Sequence, residues 1–238
     1  MMHKLILVTI LLAFNANLSV AQNAPLISAV PKYFLDIQTG YADYFSISAS
    51  GTIADFTYDV PLAIKFGMSY NFRDAGDPWA ARKIFINDNT DGDQQKSAHS
   101  FDFRMDFAYP INIFPVRKTY LYAGPRLSFY TATFEFVGGN EFFDIQSTQF
   151  GLGIGLETHL GISQNLSFLI SGAFDYFFDS EIGGHDTFYN PDGTDISGRL
   201  DYTYDDADEA IDQPNYVIRL MVGLCFSLWK VFKLSRTG

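Results

Sequence analysis

The stretch Asn215–Trp229, NYVIRLMVGLCFSLW, restricts the fold of this chain more than any other. Extended, it puts Tyr216, Ile218, Leu220, Val222, Leu224, Phe226 and Leu228 on one face, with Val217, Arg219, Met221, Gly223, Cys225 and Ser227 on the other. The first face is wholly apolar. The second carries a charge, a glycine and small residues. A strand with lipid outside and a polar barrel lumen inside has this two-sided pattern.

The pattern recurs along the chain. Phe56–Phe72 sets Phe56, Tyr58, Val60, Leu62, Ile64, Phe66, Met68, Tyr70 and Phe72 against a face with Asp59, Pro61, Lys65, Gly67 and Asn71. A helix would scatter Asp59 and Lys65 around an apolar cylinder, whereas a strand between two solvents sorts them. Lys32–Ser48, Phe101–Phe114, Thr119–Phe136, Thr148–Ile162 and Leu166–Phe178 alternate similarly, which with the last stretch makes seven strands. Closed single-chain bacterial barrels have an even number. The eighth is expected at Ala80–Ile86, the alternative being a split of Lys32–Ser48 with its following turn at Ala49–Asp55. Pro115–Lys118 and Ser163–Asn165 read as short periplasmic turns. Gly138–Asp144, 73–100 and 180–213 read as the longer extracellular loops.

The opening residues explain how such a chain reaches a membrane. Lys4 precedes the apolar run Leu5–Phe14, and Ser19-Val20-Ala21 has the form of a cleavage site, so 1–21 reads as a secretory signal peptide. Residues 22–238 then form one all-β barrel domain. Aromatic residues make up 17% of the chain, as strands and interfacial girdles require. A net charge of −11 argues against nucleic acid as a partner. Cys225 is the sole cysteine, which excludes an intramolecular disulfide and suits a buried, inert thiol.

At this point the chain resembles the small eight-stranded outer-membrane β-barrels of the OmpA/OmpX type and the porin-family barrel domain. Tyr120-Leu121-Tyr122-Ala123-Gly124-Pro125 is similar to an aromatic strand such proteins often carry. Gly223, Phe226 and Leu228 are similar to the signal read by the barrel-assembly machinery, although here Trp229–Gly238 continues beyond it. The resemblance implies a transmembrane antiparallel up-and-down barrel in the outer membrane of a Gram-negative bacterium. Its partners would be outer-membrane lipid, lipopolysaccharide and, during biogenesis, that machinery.

The inward faces should collect Asp36, Asp59, Lys65, Asp102, Arg104, Asp106, Arg126, Glu157, His159, Asp175 and Arg219. An eight-stranded barrel is only wide enough for side chains to fill it, and buried charges there must pair. A structural ion-pair plug is therefore expected, with a narrow pore for small solutes or ions as the alternative. A soluble lipocalin-like binding protein would need the faces reversed. Gly151, Gly153 and Gly155 leave room for bulky neighbours, since no helix signal follows them as in a nucleotide loop. Glu157 and His159 share a face and are the nearest approach to an acid–base pair, with no serine placed beside them. Asn87–Gly92 has the opening rhythm of a calcium loop, but Ala98 stands where the bidentate glutamate belongs. Asp201, Asp205, Asp206, Asp208 and Glu209 read as a solvated acidic patch. No catalytic, cofactor or metal residue is assigned, and the expected protein is not an enzyme.

Overall fold

The computed structural model describes residues 31–55, 61–85, 92–111, 118–137, 141–186 and 210–228. Its strands are β1 (Lys32–Ala42), β2 (Tyr44–Ala54), β3 (Ala63–Arg73), β4 (Asp93–Ile111), β5 (Thr119–Val137), β6 (Glu141–Gly161), β7 (Leu166–Phe177), β8 (Ile182–Asp186) and β9 (Tyr216–Ser227); one helix, α1 (Pro78–Phe85), lies between β3 and β4. Antiparallel neighbours run from β1 through β7, β7 pairs with β9, and β9 pairs back onto β1. Eight strands therefore close a barrel, and β8 lies outside the ring, paired only to the far end of β6. Closure matters energetically because every backbone group at membrane depth must find a partner.

The eighth strand comes from the split of Lys32–Ser48, which corrects the expectation at Ala80–Ile86. Asp43 turns the chain with φ 63°, so that Ala42 faces Tyr44 and Tyr41 faces Phe45. Aspartate tolerates this left-handed region better than most residues. Ala49–Asp55, expected as a turn, belongs to the second half of β2 as far as Ala54. Residues 78–85 are helical because Asp77 caps them: its carboxylate accepts the Trp79 N–H at 2.9 Å, with Pro78 in the first turn.

The loops also shrink. β4 begins at Asp93, so the 73–100 loop is a 74–92 connection that contains α1. β6 begins at Glu141, so most of Gly138–Asp144 belongs to a strand, and β8 lies inside the 180–213 loop. A membrane-spanning strand needs about 9–11 residues. β1, β2 and β3 have 11 each, whereas β4 and β5 have 19 and β6 has 21. The surplus rises from the end opposite the 112–118 connection.

Within the barrel the faces divide as the alternation requires. Leu220 is 61% and Met68 57% exposed on the outside, while Arg126 and Lys65 are 2% exposed inside. That is the reverse of a lipocalin-like arrangement. No helix of the described residues is long and apolar enough to cross a membrane.

Candidate functional site

The lumen is built from side chains that each strand contributes at every second position. Lys65, Asp102, Arg104, Asp106, Arg126, Glu157, His159, Asp175 and Arg219 all point inward, as does Asp36; Asp59 lies outside the described residues. They fall into three tiers. Nearest the short turns, Lys65 Nζ pairs with Asp36 Oδ2 at 2.9 Å and with Glu157 Oε2. Glu157 Oε1 takes His159 Nε2 at 2.7 Å, and Ser50 donates to Asp36 at 3.1 Å.

In the middle tier Arg126 bridges two strands. Its Nη1 donates to Asp106 Oδ1 and its Nε to Asp175 Oδ1, both at 2.7 Å. Arg219 Nη2 meets the other Asp175 oxygen at 2.5 Å, and Arg104 lies 3.8 Å from Asp106 and 5.9 Å above the Tyr122 ring. In the third tier Asp102 accepts from Asn71 at 2.7 Å and Ser128 at 2.6 Å, with Arg73 at 3.4 Å. Arg73 also donates to the Ala42 carbonyl at 2.9 Å and to Asp43 at 3.1 Å. Among the described residues Lys65, Arg73, Arg104, Arg126 and Arg219 face Asp36, Asp102, Asp106, Glu157 and Asp175. Five charges of each sign leave these described residues with no net formal charge when His159 is neutral.

The sequence reading missed Arg73, because it placed the residue at the start of a loop. The signal was present: Arg73 keeps the phase of Lys65 and Asn71. The glycines make room on the same inner wall. A Cβ at Gly153 would strike the Asp175 carboxylate and the Arg126 guanidinium, one at Gly155 the Tyr122 ring, and one at Gly151 the Phe177 ring.

The two ends of the lumen differ. At the short-turn end a cavity of about 290 Å³ opens between Tyr120, Tyr122 and Cys225 and reaches Lys65, Glu157 and His159. Both Glu157 oxygens are engaged there, so the pair is held as a salt-bridge junction and not as a free base. Tyr120 packs edge-on against His159 with ring centroids 5.5 Å apart.

At the other end an apolar cap lies across the mouth. Phe134, Phe136, Phe143, Ile145, Tyr130 and Ile182 pack with Ala75 and Ala81 from the β3–β4 connection and with Ala210 and Ile211. The connection is tied down by Asp77 N–H to the Ala210 carbonyl at 2.9 Å and by the Tyr130 hydroxyl to the Asp74 carbonyl at 2.9 Å. His99 and Ser100 face opposite ways: His99 stacks on Tyr70 outside, while Ser100 accepts from Asn71 inside. Asn87–Asp91 of the calcium-like stretch and the acidic patch at 201–209 lie outside the described residues.

A major outer membrane protein from Thermus thermophilus superposes with a TM-score of 0.67 at 20% identity, covering 83% of this chain and 99% of that one. The fold is that of an eight-stranded outer-membrane β-barrel. CarO2 of Acinetobacter baumannii aligns at TM-score 0.40 and 12% identity over 84% of this chain and 99% of its own. Neisserial surface protein A aligns at 0.37 and 12% over 82% and 94%. No family model and no curated protein matches the sequence.

Proposed function

We propose that this barrel is an integral outer-membrane protein whose lumen is an ionic plug and whose role is structural or surface-interacting, with no catalysis of its own. The observation that carries the reading is the inversion of polarity along β5 and β6. Below Tyr130 and Phe150 the outside is apolar and the inside charged; above them Thr131, Thr133, Glu135, Asp144, Gln146 and Thr148 outnumber Val137 and Phe142 on the outer face, while Phe134, Phe136, Phe143 and Ile145 face in. A chain bathed in one solvent has no use for such a switch. A chain leaving lipid for water requires it.

The longer, acidic end then faces the cell exterior, and the 112–118 and 162–165 connections face the periplasm. The belt contacts lipid and lipopolysaccharide, and β9, with Gly223 and Phe226 and with Leu228 just beyond its end, is the strand offered to the assembly machinery. A cleaved signal peptide at 1–21 supplies the export route.

Two measurements test this. Heat-modifiable migration of the outer-membrane fraction should give a faster band before boiling. In a Cys225→Ser background, a membrane-impermeant maleimide should label Thr133→Cys on intact cells and Ser163→Cys only after permeabilisation. The opposite labelling would invert the topology, and a soluble protein without a gel shift would remove the membrane reading. The alternative of a narrow pore has the open vestibule in its favour. Planar-bilayer recording is expected to show no unitary steps, because the neutral, paired lumen and the apolar cap both stand in the path.

A further inference from the structure

We propose that the middle tier of the lumen holds one small inorganic anion, of chloride size, among the guanidinium groups of Arg104, Arg126 and Arg219; this deepens the ionic-plug reading above and rests on it. The tier has more cation than anion. Arg126 reaches Asp106 with Nη1 and Asp175 with Nε, Arg219 takes the other Asp175 oxygen, and Arg104 stands 3.8 Å from Asp106. The ion pairs form a chain, Arg104–Asp106–Arg126–Asp175–Arg219, that begins and ends on a cation. The first tier, with Lys65 between Asp36 and Glu157, carries the opposite excess when His159 is neutral and none when it is protonated. The middle tier keeps its extra positive charge either way.

The hydrogen-bond donors point to the same place. The side chains of Arg104, Arg126 and Arg219 are 8%, 0% and 5% exposed. Arg104 Nη2, Arg126 Nη2 and Arg219 Nε are buried with no hydrogen-bond partner among the described residues. Buried polar groups are almost always paired, and a dry charged donor is costlier than a dry neutral one. Asp106 Oδ2 also lacks a hydrogen bond but faces the Arg104 guanidinium, so its charge is met. Arg104 and Arg126 stand directly opposite in the β4–β5 register, a like-charge contact that destabilises a sheet, and Arg219 feels the charge of both. Water would satisfy these donors but not the charge.

The surroundings limit the size of the occupant. The space that Gly67 and Gly153 leave on the inner wall is taken by Arg104, Arg126 and Asp175 themselves. An eight-stranded barrel has little room inside beyond its own side chains. That suits a monatomic ion better than a phosphate or an organic acid. Entry is from the short-turn end, where Tyr122 lines the cavity and Arg104 lies 5.9 Å above its ring.

The test uses the full chain purified in detergent, with the unboiled gel band checked first. Loss of that band, or an Arg126→Met barrel as resistant to urea as wild type, would sink the ionic-plug reading and this proposal with it. Given the band, crystals grown with bromide in place of chloride should show one anomalous peak at the three guanidinium groups. In urea titrations at constant ionic strength, replacing gluconate by chloride should stabilise the wild type. Each tenfold rise in chloride should then raise the folded-to-unfolded ratio by up to about tenfold, the limit for one site. Arg104→Met leaves two cations for two carboxylates. It should lose the chloride dependence and, in gluconate, be at least as stable as wild type, the reverse of what removing a plain ion-pair partner does. Water at the guanidinium groups without a bromide peak would overturn the proposal. So would a wild type indifferent to chloride, or an equal chloride effect in Arg104→Met.

Discussion

The spanning barrel and the cap above it are made from the same strands turned inside out. Along β5, Arg126 and Ser128 fill the inside of the barrel, and Phe134 and Phe136, still on the same side of the strand, fill the inside of the cap. On the membrane reading proposed above, the difference lies in the solvent outside. In lipid, burial of apolar surface gives little drive to fold inward, so specificity and cohesion inside fall to paired charges and hydrogen bonds. In water the ordinary hydrophobic effect returns, and aromatics move to the interior. Removing a group from one region should therefore fail differently from removing one from the other.

The largest effect is expected at Arg126. Arg126→Met leaves Asp106 and Asp175 buried after losing the cation that bridges them, a loss of about 3–5 kcal/mol for a broken buried pair. Urea unfolding of the purified barrel, followed by loss of the heat-modifiable band, measures it. An unfolding midpoint equal to wild type would mean that the middle tier does not hold the lumen together.

Phe134→Ala removes a fully buried ring stacked on Phe143 at 5.0 Å between centroids, and should cost the cap about 3 kcal/mol. The outcome should be regional. Hydrogen exchange should accelerate over Asp74–Ala81 and Ala210–Ile211, while the unboiled gel band stays in place. If the band is lost as well, cap and barrel form one cooperative unit and the contrast between them fails.

Charge placed on the outer face should locate the boundary. Phe103→Arg lies within the belt and should destabilise by about 2–4 kcal/mol, whereas Thr133→Arg, on β5 above it, should be nearly neutral. Equal effects in urea titrations would erase the proposed membrane edge.

The smallest effect concerns acid. Partial burial would raise the Asp74 carboxyl, but hydrogen bonds from Lys96 at 2.6 Å, the Gly76 N–H at 3.0 Å and the Tyr44 hydroxyl at 3.1 Å together hold it below its usual range. A lowered carboxylate contributes stability that is complete above its ordinary pKa and is lost as pH falls through the lowered one. Pepsin cleavage within the β3–β4 connection should thus rise only below about pH 4, and Asp74→Asn should remove much of that acid dependence. A flat profile in wild type would show that Asp74 does not latch the cap.

The spanning parts of the barrel were readable because period-2 alternation is strongest where two solvents meet one strand. The β1–β2 turn was hidden for a specific reason. Tyr41 and Phe45 pair across Asp43 and both face outward, so the odd-numbered apolar phase passes through the turn without a slip. The upper half of β4 was hidden because Asp93–Ser97 is polar and exposed on both faces, like a loop, and that of β6 because Asp144, Gln146 and Thr148 make its outer face largely polar opposite Phe143 and Ile145. The Asp77–Pro78 cap was written in the chain, but the alternating island beside it suggested a strand. The lumen cluster was legible as a set of faces. Its pairing was not, because Arg126 meets Asp175 across the intervening strand β6, over Gly153, and Lys65 on β3 meets Glu157 on β6 only through the curvature of the barrel.

What the sequence alone determined is which side of each barrel strand faces outward and which faces the lumen, since a local alternation of two residues carries that information. What the tertiary structure decided is where the strands end, which charges neutralise one another, and that an apolar cap lies over the mouth at the β3–β4 end. Those outcomes depend on contacts between segments distant in the chain, such as Asp77 with Ala210 and Lys65 with Glu157, and no periodicity within a single strand records them.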